Sequence, residues 1–290
     1  MGVSEMSNDW EAVLSRSDID AVVIATTTST HAQLAIVAAK AGKHVLVEKP
    51  MATSLEECME IEEAVRDAGT IMMVGFKFRF APAVVAAKEA VAAPIVLTAH
   101  TLYDLDQSTT GWINDRSLSG GRLMSTLVHS VDLLRFLAGS EPVRVAAEGG
   151  ALAIEGITEP DNAVATILFE SGAIASVVHG TAGKSPVLST WSFQSAGRGV
   201  NATVFDHGRR VQVHRSGVSG VEEYVDPTDD PFATGMRPLI DAFADSVAGG
   251  IPTAPGPRDG TIAVLVSRLI ETAIATGENQ QIDLSRLTYG

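Results

Sequence analysis

The first third of the chain alternates between two hydrophobic periodicities. Three short apolar runs are typical of strands buried on both faces of a parallel sheet: Asp20–Thr26, Lys43–Val47 and Ile71–Gly75. Helical spacing fills the gaps at His31–Ala41 and Ser54–Ala68, and a glycine follows each predicted helix. This order of strands and helices predicts right-handed crossovers and a parallel sheet.

After about residue 93 the pattern changes to short strands separated by glycine turns. A strand is predicted at Ile95–Thr101, a polar loop at Gly111–Gly121 and a helix at Ser125–Leu137. Further strands are predicted at Ala163–Glu170, Ala173–His179, Thr190–Ala196, Val200–Asp206 and Arg209–His214, and closing helices at Met236–Ala248 and Gly260–Thr276. We predict an α/β plus α+β chain, with a truncated Rossmann-like parallel sheet in residues 1–93 and a mostly antiparallel β-sheet domain in residues 94–290.

Composition and charge narrow the classes of function. The 290 residues carry a net charge of −14, which argues against nucleic acid and anionic membranes as partners. No segment approaches the roughly 20 apolar residues of a membrane span, and the first ten residues lack the basic and apolar regions of a signal peptide. The single cysteine, Cys58, allows no internal disulfide and fits a reducing compartment. We therefore expect a soluble, cytoplasmic protein.

A glycine-rich turn for a dinucleotide pyrophosphate is missing from the sequence. No Gly-x-Gly-x-x-Gly follows a strand, and Gly197-Arg-Gly199 lacks the third glycine and joins two β-rich segments. In the usual doubly wound order the apolar strand at Ala21–Ala25 would be the fourth strand and would lie beside the first. Here it is predicted to be an edge strand. Either the reading frame starts upstream, or another chain covers this edge, or the fold was remodelled.

Several motifs share the spacing of a known enzyme family. They are Asp20-Ala-Val-Val-Ile-Ala-Thr26 with His31, Gly42-Lys-His-Val-Leu-Val-Glu-Lys-Pro50, Gly75-Phe-Lys-Phe-Arg-Phe-Ala-Pro82, Trp112, Gly120-Gly121, and His129 with Asp132. Together they resemble the glucose–fructose oxidoreductase/inositol dehydrogenase (Gfo/Idh/MocA) family over nearly all of the chain. The resemblance implies that the N-terminal half of the Rossmann domain is lacking. It also implies that the β-rich domain binds substrate and pairs subunits into a homodimer or homotetramer.

The tripeptide Glu48-Lys49-Pro50 follows a predicted buried strand, and ligands of open α/β sheets bind beyond the carboxyl ends of the strands. The resemblance implies hydride transfer between NAD or NADP and a sugar, cyclitol or related polyol, with Lys49 and His129 as the catalytic residues. It implies cofactor contacts for Thr26, Thr27, His31, Glu48, Lys49, Pro50 and Arg79. It implies substrate contacts for Lys49, Trp112, Ser125, His129 and Asp132. We expect no metal, because the remaining histidines lack ligand spacing.

Three positions depart from the family pattern. Ser125 stands where many members have an aspartate that orients the histidine; it carries no charge and could instead cap the helix. Lys77 stands where the family often has asparagine, so it could favour an acidic substrate or simply be solvated. Thr27 replaces the usual proline in the turn before His31.

Three functions remain open from the sequence. The first is a nicotinamide-dependent oxidoreductase. The second is a lyase, isomerase or cyclase that uses Lys49 and His129 without a cofactor, which the missing phosphate turn and Ser125 favour. The third is a non-catalytic partner subunit whose edge strand is covered by another chain.

Overall fold

The computed structural model describes residues 5–102, 111–183, 190–227 and 234–287. The helices in these residues are α1 (Trp10–Leu14), α2 (His31–Lys40), α3 (Leu55–Ala68), α4 (Pro82–Ala90), α5 (Arg116–Ser119), α6 (Arg122–Ala138), α7 (Met236–Gly249) and α8 (Pro257–Thr276). The strands are β1 (Ala21–Ile24), β2 (His44–Val47), β3 (Met72–Val74), β4 (Val96–Leu102), β5 (Pro142–Gly150), β6 (Asn162–Phe169), β7 (Ile174–Gly180), β8 (Trp191–Gly197), β9 (Val200–Phe205), β10 (Arg210–Arg215), β11 (Glu222–Val225) and β12 (Gln280–Gln281). In the described ranges no helix is long and apolar enough to cross a bilayer.

The small sheet is parallel, as the sequence predicts. Its order is β1-β2-β3, with Val22 opposite Val45 and Val45 opposite Met72. Helices α2 and α3 pack on one face, and a cluster that includes Phe243 of α7 packs on the other. β1 lies at an edge in the described structure, and the side chain of Val23 is 64% exposed there.

The large sheet is mostly antiparallel, which confirms the predicted fold class. Its order is β11-β10-β9-β8-β4-β7-β6-β5-β12, and β4 with β7 is its parallel pair. Alternate side chains of its strands face inward, as Ala165 and Ile167 do on β6. Helix α6 packs on this inner face against β4 and β7, and α8 packs against both α6 and α3. The chain therefore places α6 between the large sheet and the small one.

Two details differ from the sequence predictions. The segment predicted as a polar loop at Gly111–Gly121 contains a 3₁₀ turn, Trp112–Asn114, and the short helix α5. Asp115 begins α5 by accepting a hydrogen bond from the amide of Ser117, which is a local capping interaction that the Ser/Gly-rich composition hides. Helix α6 begins at Arg122 because Gly121, with φ 111°, forms its N-cap, so Ser125 lies inside the helix and does not cap it.

The two predicted domains interleave in space. Helix α4 falls within residues 1–93, yet it packs against β9 and β10 of the large sheet. Helices α7 and α8 belong to residues 94–290, yet they cover parts of the small sheet and of α3. A site at the junction of the two sheets is consequently enclosed by segments from both ends of the chain.

Candidate active site

Lys49 connects the small sheet to helix α6. It follows β2 at the carboxyl end of that strand, and its Nζ donates a hydrogen bond to the main-chain carbonyl of Ser125 at 3.1 Å. Ser125 and His129 are four residues apart on α6, so they share one face of the helix. Burial lowers the pKa of Lys49, Glu48 opposes this shift, and the charge of Lys77 adds to it. The partly buried ammonium of Lys49 thus binds to α6 one helical turn before His129.

His129 is enclosed by aromatic rings. Its ring centroid lies 5.2 Å from Phe78, 5.4 Å from Trp191 and 6.2 Å from Phe76, each in an edge-on arrangement. Among the described residues its ring nitrogens have no hydrogen-bond partner. Burial, with the charge of Lys49 second, holds the pKa of His129 well below its usual value. The imidazole is therefore neutral at pH 7 and can accept a proton.

His179 is a site residue that the sequence reasoning missed. It lies on β7, is 2% exposed, and its Nε2 is 2.9 Å from the hydroxyl of Thr126 on α6. Burial, followed by the charge of Lys49, lowers its pKa to about 3. The signal was available in the alternation of β7, because His179 continues the inward-facing register of Ala175 and Val177. A polar residue in a core-facing position indicates a buried polar cluster.

Arg79 and Asp132, which were predicted to contact the cofactor and the substrate, bond to each other in the structure. The Arg79 guanidinium donates to both carboxylate oxygens of Asp132, at 2.9 and 2.5 Å, and to Asp259 at 3.0 Å. Asp259 also pairs with Arg135, which in turn pairs with Glu141. Burial raises the pKa of Asp132 to about 6, against the effect of Arg79. These five residues form the Arg79 network, and both predicted contact residues are engaged within it.

Ser125 was predicted to contact substrate, but its hydroxyl points back into the helix. It donates to the carbonyl of Arg122 at 2.7 Å, and the side chain is 4% exposed. Only its main-chain carbonyl takes part in the site, as the acceptor for Lys49. No carboxylate replaces the missing aspartate at this position of α6.

The turn between β1 and α2 contains the predicted cofactor residues Thr26, Thr27 and His31. His31 is buried, and its two ring nitrogens lie 2.8 Å from the carbonyl oxygen of Pro50 and 3.1 Å from that of Thr26. The imidazole of His31 therefore links this turn to the segment of Lys49 and Pro50. Thr27 begins a 3₁₀ turn, Thr28–Thr30, without a side-chain capping bond.

Glu48 lies beside this turn at the end of β2. Its Oε2 accepts a hydrogen bond from the main-chain amide of Lys49 at 3.2 Å. Gly75 at the end of β3 allows the close approach, since a Cβ there would lie 3.2 Å from the same oxygen. Trp112 is 53% exposed, and in the described part of the chain its ring is not among those that pack on His129.

Comparison with known proteins identifies the family of this chain. The NAD-binding Rossmann domain model of the Gfo/Idh/MocA oxidoreductases matches residues 1–76, and the C-terminal domain model of the same family matches residues 84–191. The chain belongs to the Gfo/Idh/MocA family. Phe78 and Arg79 lie between the two matched segments, in residues 77–83.

Several members of the Gfo/Idh/MocA family are similar to this chain. The scyllo-inositol 2-dehydrogenase (NAD(+)) of Bacillus subtilis is 37% identical over 185 residues, 61% of this chain and 53% of that protein. Levoglucosan dehydrogenase of Pseudarthrobacter phenanthrenivorans is 28% identical over 326 residues, 94% of this chain and 82% of that protein. The 2,7-anhydro-N-acetylneuraminate hydratase of Escherichia coli is 32% identical over 181 residues, which are 59% of this chain and 48% of that protein. The chain spans about half the length of the first curated relatives that it matches.

A solved relative shares the fold. The structure of a levoglucosan dehydrogenase in complex with NADH and levoglucosan superposes with a TM-score of 0.84 at 25% identity, covering 95% of this chain and 83% of that chain. The parallel sheet, the mixed sheet and their junction therefore belong to a Gfo/Idh/MocA architecture.

Proposed function

We propose that this Gfo/Idh/MocA chain transfers a hydride between NAD(P) and a hydroxyl or carbonyl group of a sugar, cyclitol or related polyol. The observation that supports it best is the bond between Lys49 Nζ and the Ser125 carbonyl, which holds a cation from the carboxyl end of β2 one turn from His129. The names of similar proteins, scyllo-inositol 2-dehydrogenase and levoglucosan dehydrogenase, support the same reaction class.

The described residues fit the nicotinamide and ribose part of the cofactor. Glu48 has one carboxylate oxygen bonded to the amide of Lys49, which leaves the other to accept hydrogen bonds from ribose hydroxyls. The turn held by His31 offers the hydroxyl and amide of Thr27 at the start of a helical segment. When bound, nicotinamide supplies or accepts the hydride. We retain Thr26, Thr27, Glu48 and Lys49 as proposed contacts, and we assign His31 and Pro50 to positioning the turn.

Two side chains of the protein act on the hydroxyl proton and on the substrate oxygen. The ammonium of Lys49 donates a hydrogen bond to the substrate oxygen and stabilises negative charge on it. Neutral His129 accepts the hydroxyl proton during oxidation and returns it during reduction. The aromatic rings around His129 exclude water, which favours its neutral form and keeps it ready to accept that proton.

Calorimetric titration with NADH and then NADPH tests this proposal. We expect binding at micromolar affinity or tighter, about −8 kcal/mol, and then formation of reduced nicotinamide when a polyol is added with the oxidised cofactor. The nucleotide that binds more tightly also decides between NAD and NADP. Absence of binding at millimolar nucleotide would overturn the proposal.

A second candidate is acid–base chemistry without a redox cofactor, such as elimination, hydration or isomerisation. Ser125, which places no carboxylate beside His129, favours it, and so does the similarity to a 2,7-anhydro-N-acetylneuraminate hydratase. Turnover of an anhydro sugar by nucleotide-free protein would support this candidate over the dehydrogenase. If the anhydro sugar is turned over only when NAD(P) is added, the result would instead support nicotinamide chemistry.

We also propose that the chain forms a homodimer or homotetramer through the outer face of the large sheet. This face exposes Val96, Val164 and Ile174 and includes a hollow of about 320 Å³ lined by β4, β5, β6 and β7. A mass of one chain in light scattering at micromolar concentration would refute it. The cytoplasm remains our proposed compartment, supported by the buried thiol of Cys58.

A further inference from the structure

We propose that Phe78 positions the imidazole of His129 for proton transfer, and that Gly208, in the turn between β9 and β10, sets the place of the Phe78 ring. The inference rests on the proposed function, because it concerns the group that accepts the hydroxyl proton there. Phe78 is a positioning residue, since it acts on the reaction through His129 and not through contact with the substrate.

The first observation is what surrounds the imidazole of His129. Proton transfer requires one ring nitrogen to point at the substrate hydroxyl, so the rotation of the ring has to be fixed. Among the described residues no side chain hydrogen bonds to this imidazole, and Ser125, one turn earlier, directs its hydroxyl back into α6. The rings that contact it edge-on are those of Phe76, Phe78 and Trp191, with centroids 6.2, 5.2 and 5.4 Å away. Aromatic packing therefore orients this imidazole, and Phe78 is the nearest of the three rings.

The second observation is how the turn that carries Phe78 is held. The residue after it in the 3₁₀ turn Lys77–Phe80 is Arg79, which donates to both carboxylate oxygens of Asp132, three residues after the histidine on α6. On another side, a Cβ on Gly235, the N-cap of α7, would lie 2.1 Å from the carbonyl oxygen that precedes Phe78. The backbone of this turn is thus fixed against α6 and α7, so the Phe78 ring keeps a constant place beside the histidine.

The third observation is the turn between β9 and β10. Asp206, His207 and Gly208 have φ values of 54°, 57° and 84°, so three consecutive residues lie in the left-handed region that side chains other than glycine rarely adopt. This backbone brings Gly208 against the ring of Phe78, because a Cβ on Gly208 would lie 3.1 Å from Cδ1 of that ring. Carbon atoms in ordinary contact are about 3.5–4.0 Å apart. The turn therefore packs on the Phe78 ring without room for a methyl group.

The Phe78 ring is also enclosed on β8. The centroids of Trp191 and Phe193 lie 5.1 and 5.8 Å from it, and the side chain of Phe78 is 4% exposed. A methyl group at position 208 would have to displace the Phe78 ring within this packing, and so change its contact with His129. The turn between β9 and β10 consequently acts on the histidine through one intermediate side chain.

The test compares Gly208→Ala with Gly172→Ala. Both glycines lie in turns between antiparallel strands, with φ values of 84° and 82°, so the two substitutions introduce similar backbone strain. A Cβ on Gly172 has no atom within 4 Å, so this control lacks the ring contact. The substrates are the compounds in the names of two similar proteins, scyllo-inositol and levoglucosan, with NAD(P)⁺. We expect Gly208→Ala to lower kcat by about 10- to 100-fold with nucleotide Kd within about twofold, and Gly172→Ala to leave both near wild type.

Phe78→Leu checks the route of the effect and adds no backbone strain, so it also serves if Gly208→Ala does not fold. It should lower kcat by about 10-fold or more, because the nearest ring on His129 is lost. Leucine leaves room for the methyl group, so Gly208→Ala added to Phe78→Leu should lower kcat by less than about twofold further. If the two effects multiply in full, Gly208 acts by another route and the proposal is wrong.

Nuclear magnetic resonance of the histidine rings distinguishes failure of this inference from failure of the proposed function. The Cε1–H signal of His129 is assigned as the one missing from His129→Gln, and it lies in the ring currents of three aromatic neighbours. We expect Gly208→Ala and Phe78→Leu to shift it and Gly172→Ala to leave it in place. If no nucleotide binds, the proposed function fails and these shifts alone decide the positioning. An unchanged signal in Gly208→Ala, an equal shift in Gly172→Ala, or a shifted signal with unchanged kcat would each overturn it.

Discussion

Acid should destabilise this protein through His179, and the size of the effect follows from its surroundings. The ring is 2% exposed, and burial with the nearby charge of Lys49 lowers its pKa to about 3, against 6.5 for an exposed histidine. A lowered histidine pKa means that the unfolded chain binds more protons than the native one below pH 6.5, so stability is lost as the pH falls through that value. Between pH 6.5 and 5 the loss is about 2 kcal/mol, from about 1.36 kcal/mol per pH unit.

The measurement is urea denaturation of wild type and His179→Gln at pH 7 and pH 5. Glutamine can still bond to the hydroxyl of Thr126, but it does not titrate. The free energy of unfolding of the wild type should fall about 2 kcal/mol further than that of the variant. His129 and Asp132 titrate in both proteins, so the larger part of their contribution, which comes from burial, is common to both. His214→Gln, which replaces an exposed histidine, is the control. Equal losses in wild type and His179→Gln would refute the reasoning.

Three further predictions concern the site and the core. Lys49→Met should lower kcat by about 10²- to 10⁴-fold with an unchanged circular dichroism spectrum, and a rate near that of wild type would remove Lys49 from the mechanism. Asp132→Asn should reduce the free energy of unfolding by about 1.5–3 kcal/mol in urea, because Arg79 loses the carboxylate that accepts two of its hydrogen bonds and keeps only Asp259, which it shares with Arg135; a loss under about 1 kcal/mol would contradict a structural role for the pair. Leu127→Ala should cost about 2–5 kcal/mol, since Leu127 is fully buried in α6, and the exposed Leu152→Ala is its control; similar losses would show that Leu127 is not a core residue.

The periodic elements of the fold were predictable from sequence because their signals are local. Ser54 and Glu57 form a capping box at the start of α3, as the Ser-x-x-Glu spacing favours, and Gly69 ends that helix with φ 63°. The parallel order of β1, β2 and β3 followed from apolar runs joined by helices of crossover length. Signals of this kind need only a few neighbouring residues, so the rest of the fold does not have to be known.

The candidate site was predictable only in part because its contacts are not local. The sequence indicated Lys49 and His129. In the structure Lys49 donates a hydrogen bond to the carbonyl of Ser125, which lies one helical turn before His129 on α6. The pairing of Arg79 with Asp132 spans 53 residues, and no periodicity encodes it. His179 was missed because the histidines were considered only as metal ligands, although its place in the inward-facing register of β7 marks it as buried.

Synthesis order gives the Arg79 network a consequence for the newly made chain. The bond between Arg79 and Asp259 joins residues 180 positions apart, and α8, which carries Asp259, begins only at Pro257. At about 5–20 residues per second, a ribosome takes roughly 9 to 36 s to add those residues. During that interval Asp132 can pair with Arg79. Arg135 cannot yet pair with Asp259, and α6 cannot yet pack against α8. The packing of α6 against α8, and with it the complete Arg79 network, can therefore form only after the C-terminal helix has been synthesised.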